Sequence, residues 1–179
     1  MHNESLLYLF AALSKTGLFL RSKQIDMRYF TTILAAAAVL LFSCKDQTLT
    51  PEEQFQEDIS KIKQYLSDRG LTADTTVSGI HYIITEEGSG GHPDVQSTVT
   101  VKYKGMLLDG TVFDQTTDSE TATFALNGLI PGWQQAIPLL QKGGKGTFLI
   151  PSYLCYGPSS VGPIPPNSVL IFDIELIDF

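Results

Sequence analysis

One stretch of the chain carries apolar residues at the spacing of an α-helix. Between residues 51 and 70 these positions follow i, i+4, i+7 and i+11, and they are Phe55, Ile59, Ile62 and Leu66. Thr50 and Glu53 have the spacing of a capping box, and Gly70 is a stop signal. The pattern predicts an amphipathic helix over 51–70. Its apolar stripe packs either on its own domain or on a second copy in a homodimer, because a lone helix of this length is marginal in water.

From residue 79 onward the pattern changes to that of short strands separated by Gly and Pro turns. Apolar and polar residues alternate along 99–104, which is the period of a half-buried strand. The Asp109-Gly110 pair after it predicts a hairpin. Residues 71–78 are polar without a clear period and are predicted to be a linker. Five strands are predicted, over residues 80–85, 97–107, 121–126, 146–150 and 168–179.

Within this region only residues 131–140 have helical spacing, with Trp133, Ile137 and Leu140 on one face. Five strands and one short helix predict an α+β domain over 79–179, in which an antiparallel sheet folds over the helix. The helix at 51–70 precedes that domain. Trp133 is the only tryptophan of the chain, and at this position it forms either plain core or the floor of a pocket.

The residues before position 44 are organised like an export signal. Residues 28–44 read RYFTTILAAAAVLLFSC, an Arg followed by about 14 apolar residues, too few for the ~20 that span a bilayer as a helix. The ending resembles the lipobox of bacterial lipoproteins, which implies that 27–43 is a signal peptide and that Cys44 is lipidated. Residues 1–26 are interpreted as an over-extended start or as a genuine long leader. Residues 44–50 form a tether.

Charge and cysteine content limit which partners, disulfides and cellular location are expected for the mature protein. The chain has 12 Lys and Arg against 19 Asp and Glu and no basic patch among aromatic residues, so nucleic acid is not an expected partner. Lipidation of Cys44 leaves Cys155 alone, so no disulfide is expected. The lipoprotein resemblance implies a bacterial cell envelope protein anchored to a membrane by its lipid. Because the charged pair Lys45-Asp46 follows the lipidated cysteine, the outer membrane is the predicted location.

The motifs of several enzyme classes are missing from the sequence. The three histidines are scattered, and no CxxC, HExxH or carboxylate cluster has metal-ligand spacing, so neither a metal nor a cofactor is expected. The nucleophile elbow of a serine hydrolase, G-x-S-x-G, does not occur. Two glycine-rich stretches, 88–91 and 142–146, lack the spacing of a phosphate-binding loop and are predicted to be turns.

Four stretches of the second half resemble a single family when they are read together. They are VKYKGMLLDGTVFD at 101–114, LIPGWQQAIPLLQKGGK at 129–145, IPSYLCYG at 150–157 and IPPNSVLIFDIELI at 164–177. Their order and spacing resemble the FKBP-type peptidyl-prolyl cis-trans isomerases, the family inhibited by tacrolimus and rapamycin, over 79–179. The resemblance implies a strongly curved antiparallel sheet around a short helix, with a proline-binding pocket between them.

The resemblance also implies which residues form the pocket. Those implied to act in catalysis are Tyr103, Phe113, Asp114 and Tyr156. Those implied to bind the substrate are Phe124, Leu129, Ile130, Trp133, Ile164 and Phe172. The Tyr156 hydroxyl and the Ile164 backbone N–H are the implied donors to substrate carbonyls. Asp114 either holds the tyrosine geometry or shapes the electric field. Ala122 stands where many relatives carry a second aromatic residue, a departure that implies a wider pocket and weaker binding of drug-like ligands.

The activity that the resemblance implies is isomerisation of X-Pro peptide bonds in exported, proline-containing polypeptides, with macrolides such as tacrolimus or rapamycin as inhibitors. No covalent bond breaks in this reaction, so it requires no nucleophile, metal or cofactor. The alternative is a peptide-holding chaperone or scaffold whose isomerase activity is incidental.

Overall fold

The computed structural model of the chain describes residues 49–117 and 119–179. The predicted signal peptide at 27–43, the predicted lipidation site Cys44 and residues 1–26 lie outside the described residues. The described part of the chain contains no helix that is both long enough and apolar enough to cross a membrane.

The N-terminal helix, α1 (Pro51–Asp68), begins at the predicted residue and ends two residues before the predicted bound at 70. The Glu53 N–H donates to the Thr50 hydroxyl at 3.2 Å, and the Thr50 N–H donates to the Glu53 carboxylate at 2.8 Å, which completes the capping box. Gly70 follows the helix with a positive φ of 62°. The Leu71 N–H then donates to the Leu66 carbonyl at 2.9 Å, so the end of the helix is satisfied by a Schellman-type turn.

The described residues after α1 include one antiparallel sheet of seven strands, in the order β1-β2-β6-β7-β3-β4 with β5 also pairing β3. The strands are β1 (Asp74–Thr75), β2 (His81–Glu86), β3 (Thr98–Leu107), β4 (Val112–Gln115), β5 (Ala122–Ala125), β6 (Lys145–Ile150) and β7 (Leu170–Asp178). The five predicted strands are confirmed. The two short strands β1 and β4 were not predicted, and β1 falls inside the predicted linker 71–78.

Strand β3 organises the sheet because it pairs with β7 from Thr100 to Leu107 and shares its other edge between two short strands. Its first half pairs with β5, where Val99 is opposite Phe124, and its second half pairs with β4, where Gly105 is opposite Asp114. The β3–β4 register shifts next to Gly105, and such irregularities bend a strand and re-aim its side chains. The predicted hairpin at Asp109-Gly110 connects these two strands, with the Leu107 N–H donating to the Thr111 carbonyl at 2.9 Å.

One face of the sheet packs on the second helix, α2 (Pro131–Ala136), which continues as a 3-10 turn over Ile137–Leu139. The α-helix ends earlier than the predicted 131–140 because Pro138 has no N–H to donate to the preceding turn. The main core lies between α2 and the sheet, and its fully buried residues include Val101, Phe148 and Ile137. The predicted α+β fold, with an antiparallel sheet on one short helix and a helix before it, is therefore confirmed for the described residues.

The opposite face of the sheet is covered by α1. Ile62 and Leu66 are 0% and 7% exposed, and they pack with Leu149, Val169 and Ile171 in a second hydrophobic cluster. Side chains on β6 and β7 alternate between the two clusters, so each strand contributes to both cores. Of the two interpretations of the apolar stripe, packing on its own domain is the one that the structure shows.

Candidate active site

The helix α2 brings Trp133 to the sheet. Pro131 occupies the first helical position, where its missing N–H costs nothing, and Trp133 follows within the first turn. Gly132 lies between them, and a Cβ atom there would approach Ile150 Cγ2 to 2.6 Å and the Leu154 carbonyl oxygen to 3.1 Å. Only glycine therefore allows the helix to begin this close to β6. Because α2 begins this close to β6, the Trp133 side chain packs against the sheet and is 5% exposed.

Aromatic rings from three strands surround the indole of Trp133, each nearly perpendicular to it. The ring centroids of Tyr103, Phe172 and Phe124 lie 5.1, 5.3 and 6.0 Å from that of Trp133. Phe113 extends the group by an edge contact with Phe172 at 5.7 Å. Edge-to-face packing of this kind is the favoured aromatic geometry, and it fixes each ring through its neighbours. The rings line the space above the indole instead of filling it.

The space above Trp133 is a cavity of about 170 Å³. Nine residues line it: Tyr103, Phe113, Asp114, Phe124, Leu129, Ile130, Trp133, Tyr156 and Phe172. These are nine of the ten residues that the sequence predicts for the site, and the structure brings them together from β3, β4, β5, β7, α2 and two loops. A larger, open depression of about 650 Å³ lies over polar side chains of β3, β6 and β7, such as Lys102, Thr147 and Asp173. The smaller aromatic cavity is the better candidate binding site, because small-molecule sites are concave and mostly apolar.

Asp114 is the carboxylate that lines the cavity, and it accepts a hydrogen bond from a tyrosine. The Tyr103 hydroxyl donates to Asp114 Oδ2 at 2.6 Å. Burial, followed by this hydrogen bond and the Asp114 charge, raises the pKa of Tyr103 well above its usual range, so the phenol remains protonated and continues to donate. Thr116 fixes the backbone of Tyr103, since the Tyr103 N–H donates to the Thr116 hydroxyl at 3.1 Å. This hydrogen bond is the contact required by one of the two roles that the sequence leaves open for Asp114, that of holding the tyrosine geometry.

Two further polar groups belong to residues that line the cavity, the Tyr156 hydroxyl and the Trp133 indole N–H. Burial, with the nearby Cys155 and Asp114, raises the pKa of Tyr156, so its hydroxyl also remains a hydrogen-bond donor at neutral pH. The Trp133 indole N–H is buried and has no hydrogen-bond partner within the described part of the chain. Buried donors without partners are rare in proteins, and each one calls for an explanation such as strain, a catalytic role or a bound water.

Ile164 is the predicted site residue that the cavity lining does not include. Its side chain is 4% exposed and belongs to the main core. Its backbone N–H, the implied donor to a substrate carbonyl, donates to the Val161 carbonyl at 2.9 Å. Val161 and Ile164 also form an isolated antiparallel bridge, so the two residues close a tight turn on themselves. In this structure the amide is engaged within its own loop.

Comparisons with known proteins agree with the geometry. The family model described as "FKBP-type peptidyl-prolyl cis-trans isomerase" matches residues 90–177. The sequence is 37% identical over 163 residues to the FKBP-type peptidyl-prolyl cis-trans isomerase FkpA of Escherichia coli K12, which covers 88% of this chain. The crystal structure of FkpA from Escherichia coli matches the fold with a TM-score of 0.62 at 34% identity, covering 98% of this chain and 81% of that one. This chain belongs to the FKBP-type isomerase family.

A further FKBP-type relative differs in name. The "Outer membrane protein MIP" of Legionella longbeachae is 48% identical over 102 residues, which cover 56% of this chain and 44% of that protein. This chain spans 58% of the length of the FkpA sequence. The relatives are therefore longer proteins that share the FKBP-type domain.

Two other features of this FKBP-type chain bear on the site. Ala122 lies on β5 opposite Val101 and two residues before Phe124, yet it is not among the residues that line the cavity. No group of three or more His, Cys, Asp or Glu side chains within 49–117 and 119–179 is placed to hold a metal ion.

Gly105 is a position that sequence reasoning missed, although it lies on β3 two residues after Tyr103. A Cβ atom there would approach Phe113 Cε2 to 2.6 Å and Phe172 Cε1 to 3.1 Å. We expect Gly105→Ala to push the Phe113 ring out of place while the strand survives, because this residue has no unusual backbone angle. The catalytic efficiency kcat/KM in a proline isomerisation assay should fall about tenfold or more, since a displacement of about 1 Å can cost ~10²-fold.

The matched control for this prediction is Gly91→Ala. A Cβ atom at Gly91 would meet nothing closer than Phe179 Cζ at 3.9 Å, which is ordinary contact. Thermal unfolding should show both variants folded. If Gly105→Ala keeps the kcat/KM of Gly91→Ala, the position of the Phe113 ring does not matter for catalysis.

Proposed function

We propose that this chain accelerates the cis-trans isomerisation of X-Pro bonds in exported polypeptides. The observation that carries the proposal is the aromatic cavity of about 170 Å³ above Trp133, lined by two tyrosines, in a chain of the FKBP-type family. A prolyl ring is a compact apolar group whose flanking carbonyls need hydrogen-bond donors. The cavity offers both kinds of surface.

The reaction needs a site that favours a twisted amide. An X-Pro bond prefers trans by only about 0.5–1 kcal/mol, but rotation crosses a barrier of about 18–20 kcal/mol because amide resonance is lost midway. Catalysis therefore requires only that the site bind the twisted state more tightly than either planar state. A twisted amide is less charge-separated than a planar one. Apolar surroundings therefore disfavour the planar ground states more than the transition state.

The rings of the cavity supply such surroundings. Trp133 presents its indole as a platform for the prolyl ring, and Phe113, Phe124 and Phe172 exclude water from the amide. Leu129 and Ile130, which precede α2, complete the apolar wall. Because each ring is packed edge-on against its neighbours, the surface is preorganised before the substrate arrives.

Hydrogen bonds orient the substrate on this surface. The Tyr156 hydroxyl is the donor that we assign to a substrate carbonyl, since its raised pKa keeps it protonated. Asp114 fixes Tyr103 through the 2.6 Å hydrogen bond between them. We propose that Ile164 contributes through its place in the core beside the loop at 158–163, and that its N–H reaches a substrate only if the Val161–Ile164 turn opens.

The alternative function is a peptide-holding chaperone or scaffold. A surface that only holds peptides needs aromatic bulk, but it does not need a carboxylate that fixes a tyrosine inside the cavity. The Tyr103–Asp114 hydrogen bond therefore favours the isomerase. We propose proline-containing polypeptides as the clients and macrolides such as tacrolimus and rapamycin as ligands that compete for the cavity.

The test is a refolding assay with two versions of one client, one whose slow phase is limited by a proline and one without that proline. The chain from residue 45 onward should accelerate only the proline-limited phase, and rapamycin should abolish the acceleration. A higher refolding yield for both clients without any change of rate would support the holding function and contradict the isomerase.

The location of the protein is a separate proposal. We propose that Cys44 is lipidated after removal of 27–43 and anchors the mature chain to the outer membrane by its lipid, with residues 44–50 as a tether. One FKBP-type relative carries the name "Outer membrane protein MIP", which is consistent with this location. Two acyl chains or more bind a membrane stably where one does not.

Cys44→Ala should move the protein from the membrane fraction to the soluble fraction of bacterial cells. Cys155→Ala is the matched control and should leave the protein in the membrane fraction. A Cys44→Ala chain that still sediments with outer membranes would contradict lipid anchoring.

A homodimer through 51–70 would not use the apolar stripe of α1, because the stripe packs on its own sheet. The outward face of α1 carries the exposed ion pair between Lys61 and Glu57 at 3.3 Å. A contact between two copies through α1 would therefore be polar, and such contacts contribute little stability.

A further inference from the structure

Helix α1 carries a buried carboxylate that packing alone does not explain. Asp58 lies on the inward side of the helix and is 0% exposed. Its Oδ1 atom accepts from Gln54 Nε2 at 2.8 Å, and its Oδ2 atom accepts from the Ser152 backbone N–H at 2.8 Å. A buried carboxylate is costly unless its oxygens find donors. The side chain therefore specifies one docking position of α1, at which Ser152 is in reach.

Ser152 is the residue on which the Tyr156 loop depends. It follows β6 and opens the 3-10 turn Ser152–Leu154. The Ser152 carbonyl accepts from the N–H groups of Cys155 and Gly157, each at 2.9 Å. These two residues are the immediate neighbours of Tyr156. The backbone of Ser152 thus connects the Asp58 carboxylate to both sides of the tyrosine that lines the cavity.

A second contact from α1 holds the same turn. The ring of Phe55 meets the ring of Tyr153 edge-on, with centroids 5.6 Å apart. The Tyr153 hydroxyl donates to the Ser78 carbonyl at 2.8 Å, and the Ser78 hydroxyl donates to Gln135 Oε1 of α2 at 2.6 Å. The turn is therefore fixed from α1 on one side and reaches α2, which carries Trp133, on the other.

We propose that Asp58 is a positioning residue of the cavity, holding Ser152 and through it the loop that presents Tyr156. This inference rests on the proposed isomerase function for its kinetic consequence, but its structural part does not. It assigns α1 a role in the activity of the domain beyond covering the sheet. In this proposal, Tyr156 is correctly placed only when α1 is docked on the sheet.

The experiment compares three variants of the full chain: Asp58→Ala, Asp58→Asn and Ile62→Ala. Asp58→Ala removes both acceptors, whereas the amide oxygen of Asp58→Asn can still accept from the Ser152 N–H. Ile62→Ala also weakens the packing of α1 on the sheet. Ile62 is 0% exposed, but it belongs to the second hydrophobic cluster and not to the Ser152 turn. This variant therefore controls for a general loss of stability.

Two measurements are made on each folded variant, the kcat and KM of proline isomerisation and the hydrogen exchange of individual backbone amides. Asp58→Ala should lower kcat/KM about tenfold, because Tyr156 loses its fixed position. It should also accelerate exchange at the Cys155 and Gly157 amides selectively. Asp58→Asn should recover most of both properties. Ile62→Ala should keep kcat/KM near that of the unchanged chain and should accelerate no amide selectively.

Each other outcome decides against the proposal. An Asp58→Ala chain with unchanged exchange at Cys155 and Gly157 would overturn it, as would an Ile62→Ala chain with an equal loss of kcat/KM. If Asp58→Ala does not fold, Asp58→Asn decides, because its neutral oxygen is a weaker acceptor than a carboxylate and should still leave the Cys155 and Gly157 amides exchanging faster than in Ile62→Ala. Exchange at these two amides that is no faster than in Ile62→Ala would overturn the proposal. If the unchanged chain has no isomerase activity, the proposed function fails, and amide exchange alone still decides whether Asp58 positions the loop.

Discussion

Trp133→Ala should lower the free energy of unfolding by about 3–5 kcal/mol, the cost of truncating a buried aromatic side chain. The side chain is 5% exposed and belongs to the main core. Its loss would also remove the edge contacts with Tyr103, Phe124 and Phe172. Each such pair contributes about 0.5–1.5 kcal/mol beyond burial. Unfolding in urea, followed by far-UV circular dichroism because the variant lacks its only tryptophan, measures the change.

Two further variants make this measurement specific. Trp133→Phe keeps an aromatic ring and should lose clearly less stability than Trp133→Ala. Phe179→Ala truncates an aromatic residue that is 42% exposed at the chain end, and its free energy of unfolding should change little. If Trp133→Ala costs no more than Phe179→Ala, the indole is not an integral part of the core.

Trp133 belongs both to the core and to the lining of the cavity. The sequence leaves two interpretations of this tryptophan, core or pocket floor, and the structure shows that both hold. Its edges pack among the rings of the core, and the same indole is part of the lining of the cavity. A Pro-Gly pair at the start of a short helix is a local signal, but the open space above the indole depends on Tyr103 and Phe172, which lie far away in the chain.

Elements with local signals were predictable from the sequence. The capping box at Thr50 and Glu53 fixes the start of α1, and the alternation along β3 fixes its inward face. Strand β4 has no such signal, because it is four residues long and includes Asp114, a residue type that is rare in strands. It becomes a strand only through its pairing with β3. Non-local pairing of this kind cannot be read from spacing.

The site was predictable only through its family motifs, and the exceptions have physical reasons. Ile164 misses the cavity lining because the Val161–Ile164 bridge turns it into the core, and a loop conformation is not encoded in residue types. The burial of Asp58 is indicated by the sequence, although more weakly than the residues of the family motifs. Asp58 lies on the same side of α1 as the apolar stripe, and a carboxylate in an apolar stripe requires a partner. That partner, the Ser152 N–H, lies 94 residues away in the chain, so the spacing of residues does not identify it.

Phe113→Ala should lower kcat/KM for proline isomerisation by about 10²-fold while the protein remains folded. Phe113 lines the cavity, and its ring meets Phe172 edge-on at 5.7 Å. Its loss opens the wall, admits water to the amide and releases the prolyl ring from its orientation, and misplacement of about 1 Å alone can cost ~10²-fold. The side chain is only half-buried, so the free energy of unfolding should fall by less than the ~3–5 kcal/mol typical of a fully buried aromatic.

The matched control is the neighbouring residue of the same strand. Val112 is 41% exposed and does not line the cavity, so Val112→Ala should retain the kcat/KM of the unchanged chain. Asp114→Ala, which removes the acceptor of the Tyr103 hydroxyl, should lose activity as Phe113→Ala does. Proline-limited refolding of a client measures all three. Equal rates for Phe113→Ala and Val112→Ala would mean that the aromatic wall is not what lowers the barrier. If Phe113→Ala loses activity but Asp114→Ala keeps full activity, catalysis depends on the aromatic rings alone. The Tyr103–Asp114 hydrogen bond would then be only a structural contact between β3 and β4.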